Sequence, residues 1–169
     1  GVITVAAGAV LDYETKNVYE MKVVASDASG VAGQIMQTDT AAVIISLIDV
    51  NEMPVFVEPT TALSFPENQK GYPIGTLTFD DLDTASGFRN NKFECLNCED
   101  LGFYLDETTG ELSTTRRFDY ETEEKTYKLN IVIKDVDDAT LSTTGSITVA
   151  LTNVYEFTEL VYTVPETDS

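Results

Sequence analysis

The feature that most constrains this chain is an internal repeat. "LDYE" at residues 11–14 and "FDYE" at 118–121 are each followed five or six residues later by a tyrosine, Tyr19 and Tyr127, and eight residues after each tyrosine stands an aspartate, Asp27 and Asp135. Two such coincidences in one register mark a unit of roughly 105 residues. Continuing the register lays "SLIDVNEMPVF" (46–56) over "ALTNVYEFTEL" (150–160). The reading is therefore 1–56 as the last part of one repeat, 57–158 as a complete repeat and 159–169 as the start of a further one.

Each tyrosine opens a run of period two. Tyr127, Leu129, Ile131 and Ile133 alternate with Lys128, Asn130, Val132 and Lys134, and Tyr19, Met21, Val23 and Ala25 do the same, with Glu20, Lys22 and Ser26 between them. That period is a strand with one face toward a core. "ENQKGYP", "DTASG" and "ETTGE" are turn signals between further short strands, and no stretch shows a sustained helical period. The expected class is all-β, an antiparallel sandwich.

Charge narrows the partners. Among 169 residues, 29 are acidic and 10 basic, a net charge of -19, which repels nucleic acid and anionic membranes and attracts cations. The longest apolar stretch, Ala41–Ile48, falls far short of the roughly 20 residues of a spanning helix, so no direct insertion of this segment into a membrane is expected. Catalysis has little to work with: histidine is absent, and the carboxylates gather at strand ends rather than as a pair in opposed environments. The chain is not expected to be an enzyme.

The acids have a pattern of their own. Asp49, Asn51 and Glu52 follow the apolar run "AAVIISLI" at once, and Pro54 ends the stretch. Asp, Asn and Pro are ordinary turn residues, but Asp, Asn and Glu are also the oxygen donors that calcium takes six to eight at a time, at about 2.3–2.6 Å.

"LDYE", "ASD" (25–27), "DVNEMPVF" (49–56), "PEN" (66–68), "DLD" (81–83) and the strand-turn-strand "FYLDETTGEL" (103–112) resemble, in order and spacing, the marks of cadherin repeats over nearly the whole chain. The resemblance implies tandem seven-stranded Greek-key, immunoglobulin-like sandwiches joined end to end, with three calcium ions at each linker. Carried over residue by residue, it assigns Asp12, Glu14, Asp49, the Val50 carbonyl and Glu52 to one part of the cluster, with Asp83 bridging from the next repeat. The third ion falls to Asn51, the Met53 carbonyl, Asp81, Asp83, Asp135 and a carbonyl from Asn90 or Asn91. At the second junction Glu67, Asp119 and Glu121 keep the pattern, but Asn153 stands where Asp49 does, Tyr155 where Asn51 does and Thr158 where Pro54 does. Fewer donors there should weaken or empty at least one ion position.

The resemblance also implies an extracellular, cell-surface setting. The partners it implies are neighbouring repeats of the same parent chain and a homophilic or heterophilic protein. Its functional reading is a calcium-stiffened rod for cell-cell adhesion or recognition; the alternative is a spacer segment of a large extracellular matrix or filament protein. "CLNC", Cys95 and Cys98, has no second Cys or His to finish a zinc site and no βαβ context for thioredoxin chemistry. It is read as a small surface disulfide closing a short loop, consistent with an oxidising compartment. With no Trp, this segment cannot make the Trp-anchored strand exchange of some family members. Residues 1–56 supply about three strands of seven, so upstream sequence or a partner is expected to complete them.

Overall fold

The computed structural model describes residues 1–27, 37–83 and 88–157. The expected start of a further repeat at 159–169, Thr158 and most of "DTASG" lie outside the described residues. The chain divides into two compact units, Gly1–Glu52 with Asp81–Asn90, and Met53–Asp80 with Asn91–Ser169.

In the first unit, β1 (Val18–Asp27) and β2 (Gln37–Ser46) pair antiparallel from Val18↔Ser46 to Asp27↔Gln37. Residues 1–17 contribute a turn closed by Ala9 N–H on the Ala6 carbonyl, so two strands are described here where about three were expected. Tyr19, Met21 and Ile45 on one face, with Ile3, Val5 and Leu11, line a shallow groove. Val23, Val24 and Ile44 stay exposed, because a two-stranded sheet buries a face only where another layer covers it.

The second unit is a sandwich. Its strands are β3 (Val55–Val57), β4 (Leu63–Pro66), β5 (Pro73–Thr76), β6 (Thr78–Asp80), β7 (Asn91–Cys95), β8 (Phe103–Leu105), β9 (Glu111–Thr114), β10 (Thr126–Asp135) and β11 (Ser142–Thr152), with a one-turn helix α1 (Cys98–Leu101) after β7. Counting β3 with β4 and β5 with β6 as interrupted single strands gives the seven expected. One layer has the order β4-β11-β10-β7; the other is made of β3-β6 and β5-β9-β8. β4 runs parallel to β11 from Val149↔Leu63 to Thr152↔Pro66, whereas the other pairings are antiparallel. The all-β, seven-stranded expectation is borne out.

The alternation explains why the layers close. Tyr127, Leu129, Ile131 and Ile133 of β10 and Ile147, Val149 and Leu151 of β11 all turn into one core, which Phe65, Phe93, Phe103 and Leu112 complete from the other strands. Val132, expected outward, is also buried; it sits mid-sheet, opposite Glu94 and Thr144, where neighbouring side chains flank it. The β8–β9 turn is held by Asp106, whose Oδ1 accepts from the Thr108 and Thr109 N–H groups at 3.0 and 2.7 Å. Gly110 closes it at φ 72°, and an added Cβ there would lie 2.5 Å from the Leu77 carbonyl, so only glycine fits.

The structure joins Cys95 and Cys98 in a disulfide, with Cα atoms 5.5 Å apart. The bridge is less superficial than expected, since Cys98 is buried and belongs to the core. The tight turn it spans presents Asn97, whose side chain accepts from Asn130 N–H at 2.9 Å and donates to the Lys128 carbonyl at 3.0 Å. The amide thus prolongs the β7–β10 ladder after β7 has turned away.

Candidate metal centre

The local sequence places the first acids by ending elements abruptly. β2 stops at Ser46 and the backbone then runs without regular structure through Asp49, Asn51 and Glu52. The "LDYE" segment forms a turn over residues 13–15, with Lys16 N–H on the Asp12 carbonyl at 2.9 Å. These segments and Asp83 bring carboxylate oxygens of Glu14, Asp49, Glu52 and Asp83 within 4.8 Å of one another. Asp83 follows β6 in sequence, yet its segment clusters with the first unit, and Glu52 N–H donates to its Oδ2 at 3.1 Å.

The electrostatics of this group are unfavourable as it stands. Burial pushes the Glu52 carboxyl up to about 7, with the hydrogen bond to Asp83 and the charges of Asp83, Glu14 and Asp49 adding to the rise. Burial also raises Glu14 and Asp83; Glu14 has Asp49 and Asp12 beside it, and Asp83 is eased by the Glu52 N–H but pushed further by Asp81. Asp83 is 0% exposed. Glu14 Oε1, both Asp49 oxygens, Asn51 Oδ1, Glu52 Oε2 and Asp83 Oδ1 are buried without a hydrogen-bond partner. Unsatisfied buried oxygens of one sign cost free energy until a donor or cation meets them. Carboxylate and amide oxygens alone, with no sulfur or imidazole, are the donor set of a hard cation such as calcium, so the residues fit that ion.

The other assigned residues lie outside this group. Asp12 is engaged by Thr15, which donates from its N–H and hydroxyl at 3.0 and 2.9 Å. Asp81 Oδ1 accepts from Asp83 N–H at 3.0 Å, which orients the Asp83 segment. Val50, Met53 and Asn90 are exposed. In the second unit Asn91 opens β7 opposite Asp135, the last residue of β10. Asp135 Oδ1 accepts from Asp137 and Asp138 N–H at 2.8 and 2.6 Å, and its Oδ2 is buried and unpartnered.

A second group, Glu67, Asp119 and Glu121, belongs wholly to the second unit. Phe65 and Phe118 assemble it, since their rings meet edge-on at 4.8 Å in the core, and the acids follow within one to three positions. Glu67 is buried with Oε2 on Tyr120 N–H and Oε1 on Val154 N–H, both at 2.8 Å. Those two partners escaped the sequence reading because a backbone amide leaves no mark on the residue type. Asn68 carried a signal: its φ of 64° is one that Asn tolerates better than most residues.

A family model described as Cadherin domain matches residues 61–152, from just before β4 to the end of β11. The chain belongs to the cadherin family. Human Cadherin-12 is 31% identical over 153 residues, a match covering 87% of this chain and 19% of that protein. Human Protocadherin Fat 4 is 34% identical over 176 residues, covering 98% of this chain and 3% of its own length. The chain thus spans a small part of these cadherin relatives. Among solved structures, a mouse Cadherin-23 structure of EC22-24 aligns with TM-score 0.69 and 23% identity over 86% of this chain and 45% of that one. Protocadherin Gamma B7 extracellular cadherin domains 1-4 align with TM-score 0.70 and 22% identity over 85% and 34%. These two likenesses support the cadherin fold.

Proposed function

We propose that this chain is a calcium-binding segment of extracellular cadherin repeats within a longer cell-surface protein, serving adhesion or recognition. Residues 57–158 form the complete repeat, 1–56 the last part of the preceding one and 159–169 the start of the next. The observation that carries the reading is the first acidic group: buried oxygens of Glu14, Asp49, Asn51, Glu52 and Asp83 lack a partner in the protein, and the donor set suits calcium. Asp12, Asp81, Asp135, Asn90 and the Val50 and Met53 carbonyls complete the proposed set at the first junction, and Glu67, Asp119 and Glu121 form the proposed set at the second. Bound calcium would supply the positive charge that lets these carboxylates stay ionised together and would stiffen the linker. The chain's own residues bind and orient; the reading gives them no catalytic step. The Cys95–Cys98 bridge suits an oxidising extracellular home, and the partners are adjoining repeats and a protein surface met by the parent molecule. A spacer segment in a secreted matrix protein is the second reading, since the same repeats would set length and stiffness there.

Thermal unfolding with calcium and with EDTA tests the calcium reading. Ligand at 100 times its dissociation constant stabilises by about 2.7 kcal/mol, so calcium should raise the midpoint. Asp49→Asn with Glu52→Gln should remove most of that rise. Identical midpoints in calcium and EDTA for the unaltered chain would refute it.

A further inference from the structure

The two turns that share "DYE" are closed by different side chains. In both, the N–H four residues after the aspartate donates to the aspartate carbonyl, Lys16 to Asp12 at 2.9 Å and Glu123 to Asp119 at 3.0 Å. In the first turn Thr15 ties down the Asp12 carboxylate, and Lys16 turns to the Tyr19 ring, 4.6 Å from its centre. In the second, Glu123 stands in register with Lys16, and Arg116 in register with Ala9. Arg116 donates from Nη1 and Nη2 to the two Glu123 oxygens at 2.8 and 2.6 Å, a fit that a guanidinium fork gives and an ammonium cannot. Neither partner is loose. The guanidinium lies 3.8 Å over the centre of the Phe118 ring, and Nη1 also donates to the Arg117 carbonyl at 3.0 Å. The Arg116 side chain crosses Gly102, where an added Cβ would come within 2.5 Å of Nε. Glu123 is held from the other side by the hydroxyl of the core residue Tyr127, which donates to Oε2 at 3.2 Å. Its Oε1 accepts the Asp119 N–H at 3.2 Å, so the peptide groups on both sides of Asp119 are gripped by Glu123, one by its side chain and one by its backbone.

We infer that Arg116 and Glu123 are a positioning pair, fixing the "FDYE" turn so that Asp119 and Glu121 meet an ion together with Glu67; this rests on the calcium reading of that group. The three acids bring carboxylate oxygens within 4.8 Å of one another, yet Asp119 and Glu121 are exposed and lie on a turn, outside any strand. A turn already held in shape loses less conformational freedom when it binds, and affinity gains by the difference. The pair also settles the part of Glu123 itself. It is an acid two residues from Glu121, but Arg116 occupies both its oxygens, so it serves as frame rather than as ion donor. The linker on this side gives the frame more to do. Asn153 and Tyr155 stand where Asp49 and Asn51 do, and a site with fewer donors depends more on each one being in place.

Calcium titration of the full chain, followed by NMR at single backbone amides, tests it. The Glu121 amide reads the second group, and the Glu52 amide, which donates to Asp83, reads the first. Arg116→Met and Glu123→Gln should each weaken calcium at Glu121 by about tenfold, the scale on which a metal site suffers when a residue orienting its ligands is lost. The double variant should be no weaker than either single one, since one change already breaks the pair. Arg116→Lys, which keeps the charge without the fork, should fall with Arg116→Met, and the midpoint at Glu52 should stay within about twofold throughout. The sign at Arg116 separates positioning from charge. Acting through their fields alone, removal of the cation would tighten calcium and removal of the anion would weaken it. Tighter or unchanged binding at Glu121 in Arg116→Met therefore overturns the inference, as does a lower unfolding midpoint in EDTA with no loss of calcium affinity, the mark of a merely stabilising contact. Hydrogen exchange at the Asp119 amide in EDTA reads the pair without any ion: it should speed in both single variants, and unchanged exchange also overturns the inference. A flat response at Glu121 in the unaltered chain defeats the calcium reading of this group instead, an outcome visible before any variant is made, and the positioning role falls with it.

Discussion

The hairpins β1–β2 and β10–β11 are written in nearly the same code and end in different states. Both open on a tyrosine in a period-two run, both carry apolar residues on alternate positions, and the first strand of each closes on an aspartate. In β10 the residues 127, 129, 131 and 133 are all buried, while in β1 only Tyr19 and Met21 are even partly so. The difference is the second layer. β5, β8 and β9 lie over β10–β11 and contribute Phe103 and Leu112 to the core, whereas among the described residues the first unit offers β1–β2 only the groove with Ile3, Val5 and Leu11. Alternation chooses which face can be buried; what covers that face decides whether it is.

The largest expected effect breaks the covered side. Leu129→Ala removes a fully buried side chain and should cost about 2–5 kcal/mol, while Met21→Ala, on the open hairpin, should cost below about 1 kcal/mol. Denaturant unfolding of the full chain measures both, and equal losses would mean that the first hairpin is covered after all. Two glycines with left-handed backbone sharpen the same contrast. Gly110→Ala adds a Cβ against the Leu77 carbonyl and the Phe93 ring, so steric displacement joins the backbone penalty for a loss of about 2 kcal/mol or more. Gly8→Ala, with nothing within 4 Å of its Cβ, should lose only the backbone part, about 1 kcal/mol. A Gly8 variant as damaging as the Gly110 one would place a neighbour where none is described.

The smallest effect is acid dependence in the covered unit. The Thr109 and Thr108 N–H groups, with the Thr109 side chain, hold the Asp106 carboxyl below its ordinary 3.8. A carboxylate depressed by folding adds stability above its unfolded pKa and loses it as pH falls through the folded value. Asp106→Asn should therefore lower the unfolding midpoint slightly at neutral pH and flatten its fall below about pH 4. A variant whose acid limb is as steep as that of the unaltered chain would remove Asp106 from the cause.

Much of this was readable from residue order, and the reasons for the remainder are physical. β10 was legible because a strand with one buried face writes a period of two into side-chain type. α1 was not, because four residues are too few to show a helical period. Glu14, Asp49, Glu52 and Asp83 were each named from the motif register, and they do converge. Asp12 carries the same motif yet points its carboxylate at Thr15, a local choice that residue identity two or three positions away permits without dictating. Glu67 was named from its motif for the second-junction ion set, but its backbone partners at 120 and 154 arise only once three distant segments meet.

The parallel pairing of β4 with β11 has a mechanical consequence for the second unit. β4 lies near the start of the repeat and β11 at its end, and their four paired positions run side by side in the same direction. Tension drawing the two ends of the repeat apart acts along these strands, so the hydrogen bonds between them are loaded together in shear. An antiparallel hairpin pulled from its two free ends opens one rung at a time and yields at low force. Here the rungs share the load, so the second unit should resist stretching between its two ends more than a hairpin that opens rung by rung.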